Sequence, residues 1–321
     1  MLRRLKNRLG ARRGVGKVLL AVFVLFCLWY VYKEHQRSKL RIRKHIPRII
    51  HQTWKVEKLP ASLHNMVKSW EQNHPDWEYW FWTDENLWEL VQKKFPKYMG
   101  LFTSYPTDIE RVDVARYMIL YEYGGVYADL DVESLKPLDE LIDEYPCILG
   151  EEPWVHARLF DKLPRIVSNA VMACIKKHPF FLHVLENLPK NRETPTNAIV
   201  WRTGPHMITQ EIDAYSKVTR DPNDVNSKVY VVDHEVFFPL PEPIKELRMK
   251  HMCTEKRELE PIQKGACRAL KKIDYTFSIG VNSFANHHWI GTHRKRLAPG
   301  SDDAVVAILV PRVKRKFDFQ D

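Results

Sequence analysis

The sequence predicts an α/β fold, a mostly parallel Rossmann-type sheet flanked by helices and preceded by one N-terminal transmembrane helix. Three observations predict it. From residue 46 onward, short β-branched and aromatic runs alternate with stretches of helical period, the order of βαβ units and hence of a parallel sheet. Near the N-terminus an uncharged run, VLLAVFVLFCLWYVY (18–32), stands between basic flanks. In mid-chain a Gly-Gly break is followed by an alternating apolar run that ends in two aspartates, Asp129 and Asp131.

The uncharged run reaches about nineteen residues once GVGK is added, enough to cross a thin bilayer as a helix with Lys17 snorkelling. It ends in bulky LWYVYKEH instead of a small-residue cleavage site, so it reads as an uncleaved signal anchor and not a cleaved signal peptide. Seven bases precede it and six follow closely, which tips the charge rule slightly toward a cytosolic N-terminus. The expected division is a cytosolic tail (1–17), an anchor (18–32), a basic aperiodic stem (33–45) and one folded domain (46–321).

The formal charge of +10 belongs to the tail: residues 1–48 hold 14 Lys/Arg against the single acid Glu34, leaving 36 bases and 39 acids, about −3, for the rest. Nucleic-acid binding by the domain loses its electrostatic motive, because tracking phosphates needs clustered cations on the folded body. Beyond Cys27 in the apolar run, Cys147, Cys174, Cys253 and Cys267 have irregular spacing without CxxC, which argues against zinc. In an oxidising lumen Cys253 and Cys267 would close a short loop; buried free thiols are the alternative.

Taken in order, IPRIIHQTW (46–54) is a buried first strand opened by Pro47, and ASLHNMVKSWEQNHP spaces Leu63, Met66, Val67 and Trp70 as a helix. WEYWFW (77–82) is the second strand, and TDENLWELVQKKF (83–95) a helix capped by Thr83. DIERVDVARYMILYEY (108–123) is a helix ended by Gly124. VYADLDV is the next strand, whose period of two puts Tyr127, Asp129, Asp131 and Glu133 on one face. PCILG (146–150) reads as a strand, SNAVMACI (168–175) as a strand or buried turn, HPFFLHVLENL and GPHMITQEIDAY as helices, and VYVVDHEVFFPL (229–240) as a strand. The Pro- and charge-rich stretch 241–272 reads as an irregular insertion.

Two carboxylates about 6–7 Å apart on one strand face suit a hard divalent cation, Mn²⁺ or Mg²⁺, and the C-terminal end of a parallel strand is where such sheets bind ligands. Alone, Asp-x-Asp is often a solvated turn. Asp113 and Arg116 share a helix face three residues apart, fit to hold sugar hydroxyls and phosphate, or else to form a local ion pair on a solvated face. A phosphatase, whose first Asp attacks phosphate, would carry the pair on its first strand, whereas two strands precede it here. A membrane-tethered, non-catalytic sugar-binding protein is the remaining alternative.

IPRIIHQTWK, DVARYMILYEYGGVYADLDV, SNAVMACIKKHPFF and TGPHMI together resemble glycosyltransferase family 32, over residues 46 to 293. The resemblance implies a GT-A fold and a metal-dependent retaining transferase with a nucleotide-sugar donor, most similar to enzymes that move mannose from GDP-mannose to inositolphosphoceramide. UDP-galactose and UDP-N-acetylglucosamine transferases of the same family are the alternative. It also implies a Golgi or ER membrane protein with a lumenal domain and a glycolipid or glycan acceptor. Residue by residue, Asp129 and Asp131 would meet the metal and donor, Asp113 and Arg116 the sugar and diphosphate, Gln52 and Trp54 the nucleotide end, and Asn169 the sugar. NHHWIGTH resembles the family's closing motif, making His287 or His288 a further metal ligand, although His293 stands where a Trp is common. No nucleophile is assigned among Glu151, Glu152 and Asp233.

Overall fold

The computed structural model describes residues 22–33, 45–195, 198–218, 224–255, 258–291, 302–317 and 319. Residues 22–33 are helical and belong to a unit separate from the body, Lys44–Arg220 with Asn226–Asp321. The expected anchor begins outside the described residues, as do the tail, nearly all of the stem, and His293. Among the described residues no helix is long and apolar enough to cross a membrane.

The body opens with β1 (Ile49–Trp54) and a two-residue strand β2 (Lys58–Leu59), then the helix His64–Asn73, which buries Met66, Val67 and Trp70. Strand β3 (Glu78–Thr83) runs parallel to β1 along its whole length, from Ile49 opposite Glu78 to Trp54 opposite Thr83. The helix Asp84–Lys94 follows at once, because Thr83 and Asn86 form a reciprocal capping box. Thr107 and Glu110 do the same for the helix Asp108–Tyr123, which Gly124 ends at φ 70°.

Strand β4 (Gly125–Ala128) joins β1 in parallel; β5 (Val132–Ser134) leaves the sheet. After β5 come β6 (Cys147–Glu151), β7 (Val167–Cys174), β8 (Tyr230–Val232), β9 (Ala285–His287) and β10 (Ala304–Val305). The main sheet has the order β3-β1-β4-β7-β6-β8, with β7 antiparallel to both neighbours and the other pairs parallel. Alternation along the strands divides the core. Trp82, Tyr127, Leu149 and Met172 pack on one face with Tyr117 and Phe180. Phe81, Val126, Ile148 and Val171 pack on the other with Trp70 and Phe237.

Three expectations change, and SNAVMACI takes one of its two expected forms. VYADLDV is not one strand: pairing with the main sheet ends at Ala128, the chain turns through Asp129–Asp131, and β5 pairs antiparallel with β9. SNAVMACI is a strand, and its reversal makes the sheet mixed. VYVVDHEVFFPL yields only β8, since Asp233 caps a short helix, His234–Phe237. The supposed irregular insertion is two helices, Pro243–Thr254 and Pro261–Lys272, each started by proline. Cys253 and Cys267 tie them together, and Cys147 and Cys174, opposite one another on β6 and β7, form the second disulfide.

Candidate active site

The site grows from the turn after β4. Val132 N donates to Asp129 O at 3.0 Å, and Asp129 N donates to Ala170 O of β7 at 2.9 Å. Gln52 of β1 braces the same turn: its Nε2 donates to Asp129 O at 3.3 Å while its Oε1 accepts from Tyr79 OH. It is fully buried with both polar ends engaged, and it braces the aspartate turn.

The turn brings Asp129 and Asp131 together with His287 of β9, one ligand atom of each lying within 4.8 Å of the others. Asp131 Oδ1 is 3.3 Å from His287 Nε2, and Asp131 Oδ2 accepts from Ile290 N at 3.0 Å. Burial opposes the Asp131 charge, but His287 and the Ile290 amide outweigh it and hold the carboxyl down at about 2. Burial opposes the His287 charge too, and Asp131 outweighs it, leaving the imidazole above its ordinary value. Trp289 N donates to His287 Nδ1 at 3.1 Å, which turns the Nε2 edge toward the carboxylates. Two carboxylates and an imidazole are a donor set that fits a divalent cation such as Mn²⁺. His288 stands apart, its side chain paired with Glu133 at 2.9 Å on the surface.

Arg116 links this group to the helix Asp108–Tyr123. Its Nη1 lies 3.1 Å from Asp129 Oδ1 and donates to Asn169 O at 2.8 Å, while Nη2 lies 3.2 Å from Asp113 Oδ1. The guanidinium sits over the Tyr127 ring at 4.6 Å. Burial opposes its charge, yet Asp129 and the other surrounding groups more than offset this and push the pKa above its ordinary value. Its buried Nε has no hydrogen-bond partner among the described residues. Asp113 and Arg116 are 4% and 3% exposed, which overturns the solvated-face alternative for that pair.

Asp113 accepts from Asn169 Nδ2 and Thr203 Oγ1, each at 2.9 Å, while burial pushes its carboxyl up to about 6 against the pull of Arg116. Asn169 Nδ2 also donates to Tyr117 OH at 2.9 Å. Trp54 is half-buried at the end of β1, with Lys55 Nζ 5.8 Å from its ring centroid. Of the three candidate nucleophiles, Glu152 is buried and bonded to His156 Nδ1 at 2.8 Å, and its charge is felt by His287. Glu151 lies 3.6 Å from Arg165, and Asp233 is an exposed helix cap.

Sequence reasoning assigned no role to Tyr127, Thr203, Tyr117 or the Ile290 amide. Tyr127 OH donates to Asp129 Oδ1 at 2.8 Å and bonds Thr53 Oγ1 at 3.0 Å, fixing the aspartate that Arg116 holds. The signals were present: Tyr127 is the aromatic inside GGVYADLD, and Thr203 opens TGPHMI. Nothing in the sequence marks Ile290, whose contribution is a backbone amide.

Residues 60–148 match the family described as glycosyltransferase sugar-binding region containing DXD motif. Inositol phosphoceramide mannosyltransferase 3 of Schizosaccharomyces pombe is 41% identical over 176 residues, 54% of this chain and 46% of that protein. Mannosyl phosphorylinositol ceramide synthase SUR1 of Saccharomyces cerevisiae is 38% identical over 167 residues, 51% of this chain and 41% of that protein. The chain spans about half the length of the curated relatives it matches. Among solved structures, PaToxG glycosyltransferase aligns over 80% of this chain and 95% of its own at 14% identity and a TM-score of 0.41. The segment that matches the DXD-containing glycosyltransferase sugar-binding region, residues 60–148, carries Asp113, Arg116, Asp129 and Asp131.

Proposed function

We propose that the chain is a metal-dependent retaining hexosyltransferase that moves mannose from GDP-mannose to a glycolipid of the inositolphosphoceramide type. The observation that carries this reading is the convergence of Asp129, Asp131 and His287 on one point, with the buried Arg116 bridging Asp129 to Asp113. Asp129, Asp131 and His287 would hold Mn²⁺ or Mg²⁺, which supplies Lewis-acid neutralisation of a departing diphosphate.

The chain's own groups do the rest. Arg116 keeps a fixed positive charge beside Asp129, which would help offset the charge of the donor's phosphates. Asp113, set by Asn169 and Thr203, keeps Arg116 in register. Trp54, half-buried at the end of β1, would give a nucleotide base a ring face to stack on. The acceptor hydroxyl would attack from the face that the diphosphate leaves, giving retention. The similarity to inositol phosphoceramide mannosyltransferases supports the donor and acceptor chosen, and residues 18–32 would anchor the chain in the Golgi or ER membrane with the body in the lumen.

The test is turnover of a nucleotide-sugar panel by the purified full chain with Mn²⁺. GDP-mannose is expected to turn over in preference to UDP-galactose and UDP-N-acetylglucosamine, and Asp131→Asn to lose at least about 100-fold in kcat. Turnover that survives EDTA would sink the metal role, and preference for a UDP-sugar would move the chain to the other branch. Binding without any turnover would make it a non-catalytic sugar-binding protein.

A further inference from the structure

The segment 243–272 differs from the rest of the body in charge and in surface. It carries nine Lys/Arg against four Glu, a net +5, within a body of about −3. The helix Pro261–Lys272 has no acid at all. Lys264, Arg268 and Lys271 recur at i, i+4 and i+7 on its exposed face, with Lys272 beside them, and none forms an ion pair among the described residues.

The neighbouring helix Pro243–Thr254, joined to it by Cys253–Cys267, turns Ile244 and Leu247 outward beside Arg248 and Lys250. Leu247 is 81% exposed, and Val281, on the segment leaving the second helix, is 87% exposed. Single exposed aliphatic side chains are ordinary on a protein surface, but Ile244 and Leu247, three residues apart, share one helix face and stand open to water together. The element is rigid because its inner faces share a small core: Met249, Met252, Ala266 and Leu270 pack on Val155 and Leu159. That core adjoins the site through His156, which holds Glu152 and stacks edge-on against Trp289 at 4.8 Å.

We propose that these two disulfide-joined helices dock on the surface of an anionic lipid bilayer. Cations and exposed aliphatic side chains on one element are the combination that seats a helix at the headgroup boundary, the cations drawn to lipid phosphate and the aliphatic side chains entering the acyl edge. The surplus of positive charge on this element, in a body that is otherwise acidic, selects a negatively charged sheet over a protein face of mixed sign. Docking there would hold the Glu152–His287 side of the site toward the membrane. The inference goes beyond the transfer reaction and does not depend on it.

The test uses the full chain in vesicles of phosphatidylcholine with phosphatidylserine, with a benzoylphenylalanine photo-crosslinker replacing Leu247. The same group at Trp88, a surface position on the helix Asp84–Lys94, is the reference. Lipid adducts at 247 are expected to exceed those at 88 by at least about tenfold, since each cation near such a surface strengthens association about fivefold. Lys264→Glu/Lys271→Glu/Lys272→Glu is expected to return them to the reference level. Raised salt should do the same without any substitution, which covers the case of a variant that folds poorly. Equal lipid labelling at 247 and 88, adducts to protein in place of lipid, or labelling indifferent to both charge reversal and salt would overturn the proposal.

Discussion

Arg116 is a single side chain asked to satisfy four neighbours, and its chemistry explains why lysine cannot replace it. One planar fork reaches Asp113, Asp129 and the Asn169 carbonyl while its face covers Tyr127. A lysine ammonium keeps the charge but reaches one or two of these, so Arg116→Lys is expected to lower kcat at least about 100-fold. Burial adds a stability cost that sequence spacing could not show. The lysine variant should lose about 1–3 kcal/mol, and Arg116→Ala about 3–5 kcal/mol because the buried Asp113 and the half-buried Asp129 are left without their cation. Denaturant unfolding beside single-turnover kinetics separates the two effects; a lysine variant that is destabilised yet turns over normally would remove Arg116 from donor binding and leave it a structural bridge.

At the scale of elements, the Gly124–Gly125 pair joins a helix to the strand that presents the aspartates, and both residues have positive φ, 70° and 94°. A Cβ on Gly125 would lie 2.7 Å from Ile49 O and 3.0 Å from His51 Nε2, neither of which is a flexible end. Gly125→Ala is therefore expected to cost about 1–3 kcal/mol for the backbone alone, and more for the clash. The measurement is the unfolding midpoint; a shift within error would mean that β4 slides to accept the methyl. This connection was legible in the sequence because a helical period, a glycine break and an apolar run are all local signals. What followed it was not. The strand expected to carry both aspartates breaks at Asp129 because its continuation finds β9, a partner more than 150 residues away, and no local pattern encodes that pairing. His287 came within reach through the closing motif, while the helices of 243–272 were hidden by prolines that start helices but read as breakers.

For the whole molecule, the pH dependence of unfolding should carry the mark of His51, a core imidazole of β1 with no place in the chemistry. Trp82 Nε1 donates to its Nδ1 at 3.2 Å and its Nε2 bonds Gly124 O at 2.8 Å, so the neutral ring donates from Nε2 and accepts at Nδ1. Complete burial, partly offset by the Gly124 carbonyl, pushes its pKa down to about 3. An unfolded chain binds a proton at this residue below pH about 6.5, whereas the folded chain does not until about 3. Between those limits the unfolded state takes up more protons, so stability falls as pH is lowered, by up to about 1.4 kcal/mol per pH unit from this group. Asp113, raised to about 6, has the opposite sign: its contribution is present below the ordinary carboxylate range and is lost as pH rises through 6. The wild-type curve mixes these two with other shifted groups, Asp131 and His287 among them, and the difference between wild type and His51→Gln isolates one. Glutamine can donate to Gly124 O and accept from Trp82 without titrating, so the stability of wild type relative to the variant is expected to be constant above pH 6.5 and to decline steadily from there toward pH 3. Parallel curves across that window would show that His51 is protonated in the fold, and its Nδ1 could then not accept from Trp82.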